Sequence, residues 1–305
     1  MKRFFFILSL ISCLFISAQD TLMPVVFLDD VVISVKNNGF SVEDFIGYVK
    51  EDTTFYMGFK HLRYYSHNYE SELNIFNKKG IVIGTLKKKG THHSNGKIAW
   101  TVDDSIYGKG KIFKRNGKYK YYTPEAFDEV FFPKDTIDVN LSMSKEKNKE
   151  ESQNMRDAKT VGFSIGVDDV EQSKGGISKK LAVFDVGMQQ YYDYTISDTI
   201  YREKECYVFV VEVKQELKDN DIEKALIRRI VSYFDKENFN VIYRNYKFVY
   251  NHFLIDLDME VFVHMDYMNG KHIPIEIYYK GFWNALFFKP ERAEFKLNNT
   301  NYLVD

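Results

Sequence analysis

From Phe253 to Tyr267 every odd position is apolar: Phe253, Ile255, Leu257, Met259, Val261, Val263, Met265 and Tyr267. The even positions include Asp256, Asp258, Glu260, His264 and Asp266. Successive strand side chains point to opposite faces, so this pattern demands a long strand with one face buried and the other mostly wet. Asn269-Gly270 follows at once. A two-residue type I′ turn needs positive φ at both central positions, and Asn-Gly meets that need at little cost. The return run, Ile273, Ile275, Ile277 and Tyr279, is again apolar at alternate positions. Two long antiparallel strands in tight succession predict a mainly β (α+β) fold: a large antiparallel meander sheet or incomplete barrel with a few N-terminal helices.

The rest of the chain fits that frame. Val25 to Val35 has strand composition. Ser41 suits an N-cap, with Glu43 and Asp44 in the first turn of a helix running through Phe45, Ile46 and Val49. Phe55, Phe59 and Leu62 lie at helical spacing. Strands are expected at Tyr69–Phe76 and Ile81–Leu86, with hairpin turns at Asn95-Gly96 and Asn116-Gly117. A short helix is expected from Pro124, as its first residue, to Phe131. Further strands are expected near 190–197, 207–214, 227–235, 240–250 and 293–297, with a helical start in 177–191. Tyr207-Val208-Phe209-Val210-Val211 is apolar on both faces and predicts a strand covered on both sides. Residues 142–160 are almost wholly polar, a linker or insertion within one domain spanning 19–305, or a boundary between lobes 19–141 and 161–305.

Met1 to Arg3 is basic, Phe4 to Ile16 almost unbroken apolar chain, and Ile16-Ser17-Ala18 ends in a small residue. Residues 1–18 therefore predict a cleaved signal peptide and an exported protein. A rival reading takes Leu10-Ile11-Ser12-Cys13 as a lipobox with Cys13 lipidated. After cleavage at Ala18 only Cys206 remains, so no intramolecular disulfide can form and a packed core must hold the fold. With 26 Phe and 22 Tyr that core has abundant aromatic material.

Three patterns offer chemistry. Gly162-Phe163-Ser164-Ile165-Gly166 matches the G-x-S-x-G nucleophile elbow, with Asp256 and His272 downstream in the order a triad needs. An elbow requires a buried parallel strand before the serine and a helix after it; here a charged stretch precedes and Asp168-Asp169 follows, so a Gly-rich loop is the competing reading. Asp256, Asp258, Glu260, His264 and Asp266 share one strand face about 7 Å apart, a spacing at which carboxylates can flank a bond or share a cation; a solvated strand face is the competing reading. Lys78 to Lys120 carries twelve Lys or Arg against Asp103 and Asp104. Such a run suits an anionic envelope surface better than nucleic acid in an exported protein, or supplies edge lysines that block aggregation. His92-His93 projects divergently and makes a poor chelate. No metal or other cofactor is implied.

The stretch Phe15-Ile16-Ser17-Ala18-Gln19-Asp20, together with Ser41–Phe45 and Asp52–Tyr56, resembles secreted proteins of Bacteroidetes-type bacteria. Asp-Ser/Thr-aliphatic-or-Thr triplets beginning at Asp20, Asp52, Asp104, Asp135 and Asp198 are similar to the O-glycosylation sequon of that group. Early helices followed by long hairpins resemble lipoprotein carriers of the Lol type, in which an incomplete antiparallel barrel shelters acyl chains; the polar segment 142–160 departs from that pattern. The resemblance implies a non-enzymatic envelope protein binding a lipid, lipoprotein or envelope partner on a curved sheet. The alternatives are a secreted hydrolase using Ser164 or the acidic face of the 253–267 strand, and a structural or assembly component without a small ligand. Oligomeric state is not legible.

Overall fold

The computed structural model describes residues 45–47, 49, 54–140, 183–252, 255–285 and 289–303, all within one compact unit, Ile33–Asp305. Signal peptide, lipobox, the 25–35 strand, Ser164 and the polar segment 142–160 lie outside the described residues.

The sheet is a single antiparallel array of eleven strands in the order β4-β3-β2-β1-β11-β10-β9-β8-β7-β6-β5. The strands are β1 (Ser66–Phe76), β2 (Val82–Ser94), β3 (Ile98–Gly110), β4 (Ile137–Asp138), β5 (Tyr192–Tyr201), β6 (Lys204–Val213), β7 (Ile227–Asp235), β8 (Val241–His252), β9 (Ile255–Met268), β10 (Lys271–Ala285) and β11 (Glu291–Leu303). One meander runs from β1 in the middle out to the β4 edge and the other from the β5 edge back to the middle, where β11 pairs with β1. The described helices are α1 (Thr54–Tyr64), α2 (Tyr122–Phe131) and the single turns α3 (Val186–Gln189) and α4 (Asp219–Ile222); residues 45–47 and 49 are helical too.

The long alternating strand is β9, and Asn269 and Gly270 both take positive φ, as a type I′ turn requires. Leu257, Met259, Val261, Val263 and Met265 are buried. Across the turn the register shifts between Pro274 and Glu276. Pro cannot donate to a ladder and so favours a bulge. Asn299 Nδ2 and Tyr302 Oη both donate to the Pro274 carbonyl, at 3.1 and 2.8 Å. A second tight turn, Arg202-Glu203, joins β5 to β6 with both residues at positive φ and no glycine.

Several expectations need correction. The pattern around Asn116-Gly117 yields a single bridge, Phe113 to Tyr119, and no strand pair. α2 starts at Tyr122, with Pro124 third in the helix, where its missing N–H still costs nothing. In 177–191 the described helix is one turn, Val186–Gln189. β2 runs on to Ser94, and β3 continues for thirteen residues beyond the Asn95-Gly96 turn.

Candidate functional site

One face of the sheet carries the core. Tyr69, Leu73 and Ile75 of β1, Phe295 of β11, Tyr279 and Trp283 of β10, Val261 and Val263 of β9, Tyr246 and Phe248 of β8, Phe234 of β7 and Phe209 of β6 are all buried and joined in one hydrophobic cluster. Helices cover this face. Phe127 of α2 packs edge-on against Tyr279 and Phe295 at 5.0 and 4.6 Å, and Phe131 stacks on Phe295 at 5.5 Å. Phe45 meets Phe209 and Phe234 at 5.2 and 5.3 Å. Phe55 of α1 lies under the Arg244 guanidinium at 4.3 Å.

Polar clamps fasten α1 and α2 to the apolar face. Lys88 of β2 is buried and bridges Asp128 of α2 at 2.6 Å, while Tyr119 donates to the other carboxylate oxygen. α2 has no side-chain cap of its own. Buried Glu291 supplies one from β11, accepting from the Tyr122 N–H at 3.1 Å, the Thr123 N–H at 2.6 Å and the Thr123 hydroxyl. A helix N-terminus presents orphan N–H groups and positive potential, so a carboxylate suits it; burial nevertheless raises the Glu291 carboxyl above its ordinary value. α1 is pinned at its far end by His61 Nδ1 on the His272 carbonyl at 2.5 Å.

Next to α1, His67 and His92 stack at 4.9 Å, and Tyr302 stacks on His67 at 4.6 Å. His67 Nδ1 meets the Tyr65 carbonyl at 2.9 Å and His92 Nε2 the Arg63 carbonyl at 3.1 Å. Burial, against the pull of the backbone carbonyls and helped at His67 by the neighbouring His92 and at His92 by Arg63, lowers His67 to about 3 and His92 to about 4.

The acidic row of β9 is placed on the opposite face, where Glu260 and Asp258 have lysine partners. Glu260 pairs with Lys280 at 2.8 Å and accepts from Asn245 at 3.1 Å. Asp258 faces Lys247 at 3.7 Å, and Asp256 accepts from Asn284 at 3.0 Å. These are cross-strand pairs. The face is not uniformly wet: His264 lies among Tyr201, Tyr233 and Tyr243, with Tyr201 Oη 2.5 Å from His264 Nδ1. This aromatic knot sits on the same face as Cys206 and Val208, both buried, which is where the expected two-sided burial of the 207–211 strand comes from.

The basic run is also partly spent. Lys87 and Lys89 pair with Glu72 and Glu70 of β1 at 2.8 and 2.5 Å. With Lys88 turned inward, these three lysines stand on an interior strand, not on a sheet edge. His93 stacks on Trp100 at 5.4 Å. Cys206 is buried and its thiol raised by burial, so it is not a poised nucleophile. Among the described residues no group of three or more His, Cys, Asp or Glu could hold a metal ion. Ser105, Thr136 and Thr199, the hydroxyl residues of the three described triplets, lie on or beside the edge strands, and Ser105 and Thr136 are exposed.

No protein-family model matches the chain, and no curated protein is significantly similar to it. Solved structures align over most of its length at low similarity. A DUF1329 family protein from Desulfovibrio piger covers 83% of this chain and 92% of its own at 11% identity and TM-score 0.25. A putative outer membrane lipoprotein-sorting protein domain from Vibrio parahaemolyticus covers 86% and 90% at 10% identity and TM-score 0.26. Lipovitellin, in a structure concerned with lipid–protein interactions, covers 78% of this chain and 25% of its own at 9% identity and TM-score 0.29. At such TM-scores the likeness says nothing about function, which rests on the site alone.

The charged clamps and the histidine stack were hidden from sequence reasoning because each joins distant segments, Glu291 to Thr123 across 168 positions. Alternation carries a signal for one of them: Leu86, Lys88, Gly90 and His92 fall on a single strand face, so Lys88 must follow Leu86 inward.

Proposed function

We propose that this is an exported, non-enzymatic cell-envelope protein that binds a lipid, or the acyl part of a lipoprotein, on the helix-covered face of its sheet. The observation that carries the proposal is the construction of that cover. A broad aromatic and aliphatic sheet face is covered by short helices, of which α2 is fastened through Lys88–Asp128 and Glu291–Thr123 and α1 through His61–His272. Such a cover exposes a continuous apolar surface once a clamp opens, which is what an acyl chain needs. Among the described residues the opposite face carries the lysine pairs of Glu260 and Asp258 and the aromatic knot around His264. The basic signal-like N-terminus supports export.

The test is native mass spectrometry of protein extracted mildly from a membrane-containing host, followed by titration with a fluorescent fatty acid. A co-purifying acyl mass and saturable uptake, strengthened in Lys88→Met where the α2 clamp is broken, are expected. A clean apo mass together with no uptake by either protein overturns the proposal.

A further inference from the structure

At one end of the sheet two turns stand side by side. The β1–β2 turn, Asn77-Lys78-Lys79-Gly80, is closed by the Asn77 side chain, which accepts from the Lys79 and Ile81 N–H groups at 2.8 and 3.0 Å, and by Gly80 at positive φ. The loop after β3 is tied to the same place. Lys111 N–H donates to the Ile83 carbonyl at 3.1 Å, and Ile112 is buried against Gly84, where a Cβ would come within 2.7 Å of its side chain. The loop then turns back through Asn116-Gly117, with Lys114 N–H on the Lys118 carbonyl at 2.8 Å and Phe113 stacked on Tyr119 at 5.1 Å.

Both turns carry exposed cations, Lys78 and Lys79 on the first and Lys111, Lys114, Arg115 and Lys118 on the second. Neither 77–83 nor 111–119 contains an acid. Among the described residues none of the six is ion-paired, whereas Lys87, Lys88 and Lys89 farther along β2 all are. The carboxylates that bear on Tyr119 are Asp128, held by Lys88, Asp103, held by Tyr69, and Glu125 of α2. Large apolar side chains stand among these cations: Ile81 is 58% exposed, Val82 47% and Phe113 41%.

Exposed apolar groups rimmed by charge mark an interaction surface. Unpaired cations beside aliphatic side chains match an anionic bilayer, which takes the first at its headgroups and the second just beneath them. A nucleic acid would use the cations and the ring of Phe113, but it would leave Ile81 and Val82 in water, because stacking on bases needs a flat face. The formal net charge of the whole chain is −1, so attraction to an anionic surface is confined to this end and orients the molecule.

We propose that this end of the sheet docks on an anionic lipid bilayer, with the lysines and Arg115 among the headgroups and Ile81, Val82 and Phe113 in the interface. The assignment does not depend on what the helix-covered face binds. Co-sedimentation of the purified protein with phosphatidylcholine vesicles, with and without phosphatidylglycerol, tests it. Wild type is expected to pellet with the anionic vesicles alone and to be released by salt. Lys78→Gln combined with Lys79→Gln is expected to weaken binding about thirtyfold, about 2 kcal/mol at about 1 kcal/mol for each cation near the surface. Ile81→Ser is expected to weaken binding while leaving its salt dependence unchanged. Lys97→Gln, exposed at the far end of the β2–β3 hairpin, is expected to change nothing, circular dichroism confirming that each variant is folded. A wild type that ignores anionic vesicles, binds both kinds equally, or loses as much in Lys97→Gln as in the double variant overturns the proposal. Binding indifferent to Ile81→Ser and matched by a soluble polyanion such as heparin overturns it too, since the patch would then read charge alone.

Discussion

Replacing His67 and His92 together by Gln should flatten the acid limb of the stability curve. In the folded protein both rings are buried, His67 at about 3 and His92 at about 4, whereas in an unfolded chain each titrates near 6.5. The unfolded state therefore binds more protons below that value. Stability is full above about pH 6.5 and is lost as pH falls toward the folded-state values. Between pH 7 and pH 5 the linkage relation gives about 2 kcal/mol per ring, and about 4 for the pair. That figure is insensitive to the folded-state values provided both stay below 5. Against a total stability of about 5–15 kcal/mol, the loss is large.

Other groups titrate in the same window. Burial lowers His61 and His264 as well, and raises Glu291, whose contribution runs the other way, growing as pH falls. All three are present in both proteins and cancel in the comparison. Gln retains a donor for the Tyr65 and Arg63 carbonyls, so the variant should still fold. Urea unfolding followed by Trp fluorescence at pH 7 and pH 5 is the assay. Wild type should lose about 4 kcal/mol more than the double variant. A difference below about 1 kcal/mol, or an NMR titration of folded His67 near 6.5, refutes the reasoning.

Glu291→Ala strips three donors at the start of α2 of their acceptor and should cost about 2–4 kcal/mol by chemical denaturation, with Glu291→Gln, which keeps an acceptor, costing much less. Lys88→Met leaves half-buried Asp128 without its cation, though still holding the Tyr119 hydroxyl, and should cost about 1–3 kcal/mol; losing none would show that the clamp does not fasten α2. Gly90→Ala places a Cβ 2.1 Å from the Val102 carbonyl oxygen and 2.9 Å from Asp103 Cα. Both obstacles are backbone, so the β2–β3 pairing must shift, and a melting temperature unchanged within a degree would contradict that contact.

How much of this was legible in the sequence turns on register. Alternation names the buried face of β9 residue by residue, and Asn269-Gly270 names the turn, so the first strand and its hairpin follow from the chain alone. The functional meaning of the acidic row does not, because it depends on what stands opposite. Carried straight back from the turn, the pairing of Lys271 with Met268 and of Pro274 with Met265 would set Lys280 across from Met259 and Ile277 across from Phe262. Because strand side chains have period two, a one-residue shift exchanges the faces. The bulge at Ile275 supplies that shift. Beyond it Lys280 stands opposite Glu260 and Ile277 opposite Val263, so one extra residue brings Glu260 its lysine partner. Pro274 is the sequence mark of that bulge. The helix clamps have no such mark. Nothing local distinguishes Glu291 from an exposed glutamate until β11 is laid beside β10 and the N-terminus of α2 arrives over Trp283, where Tyr122 packs at 5.1 Å.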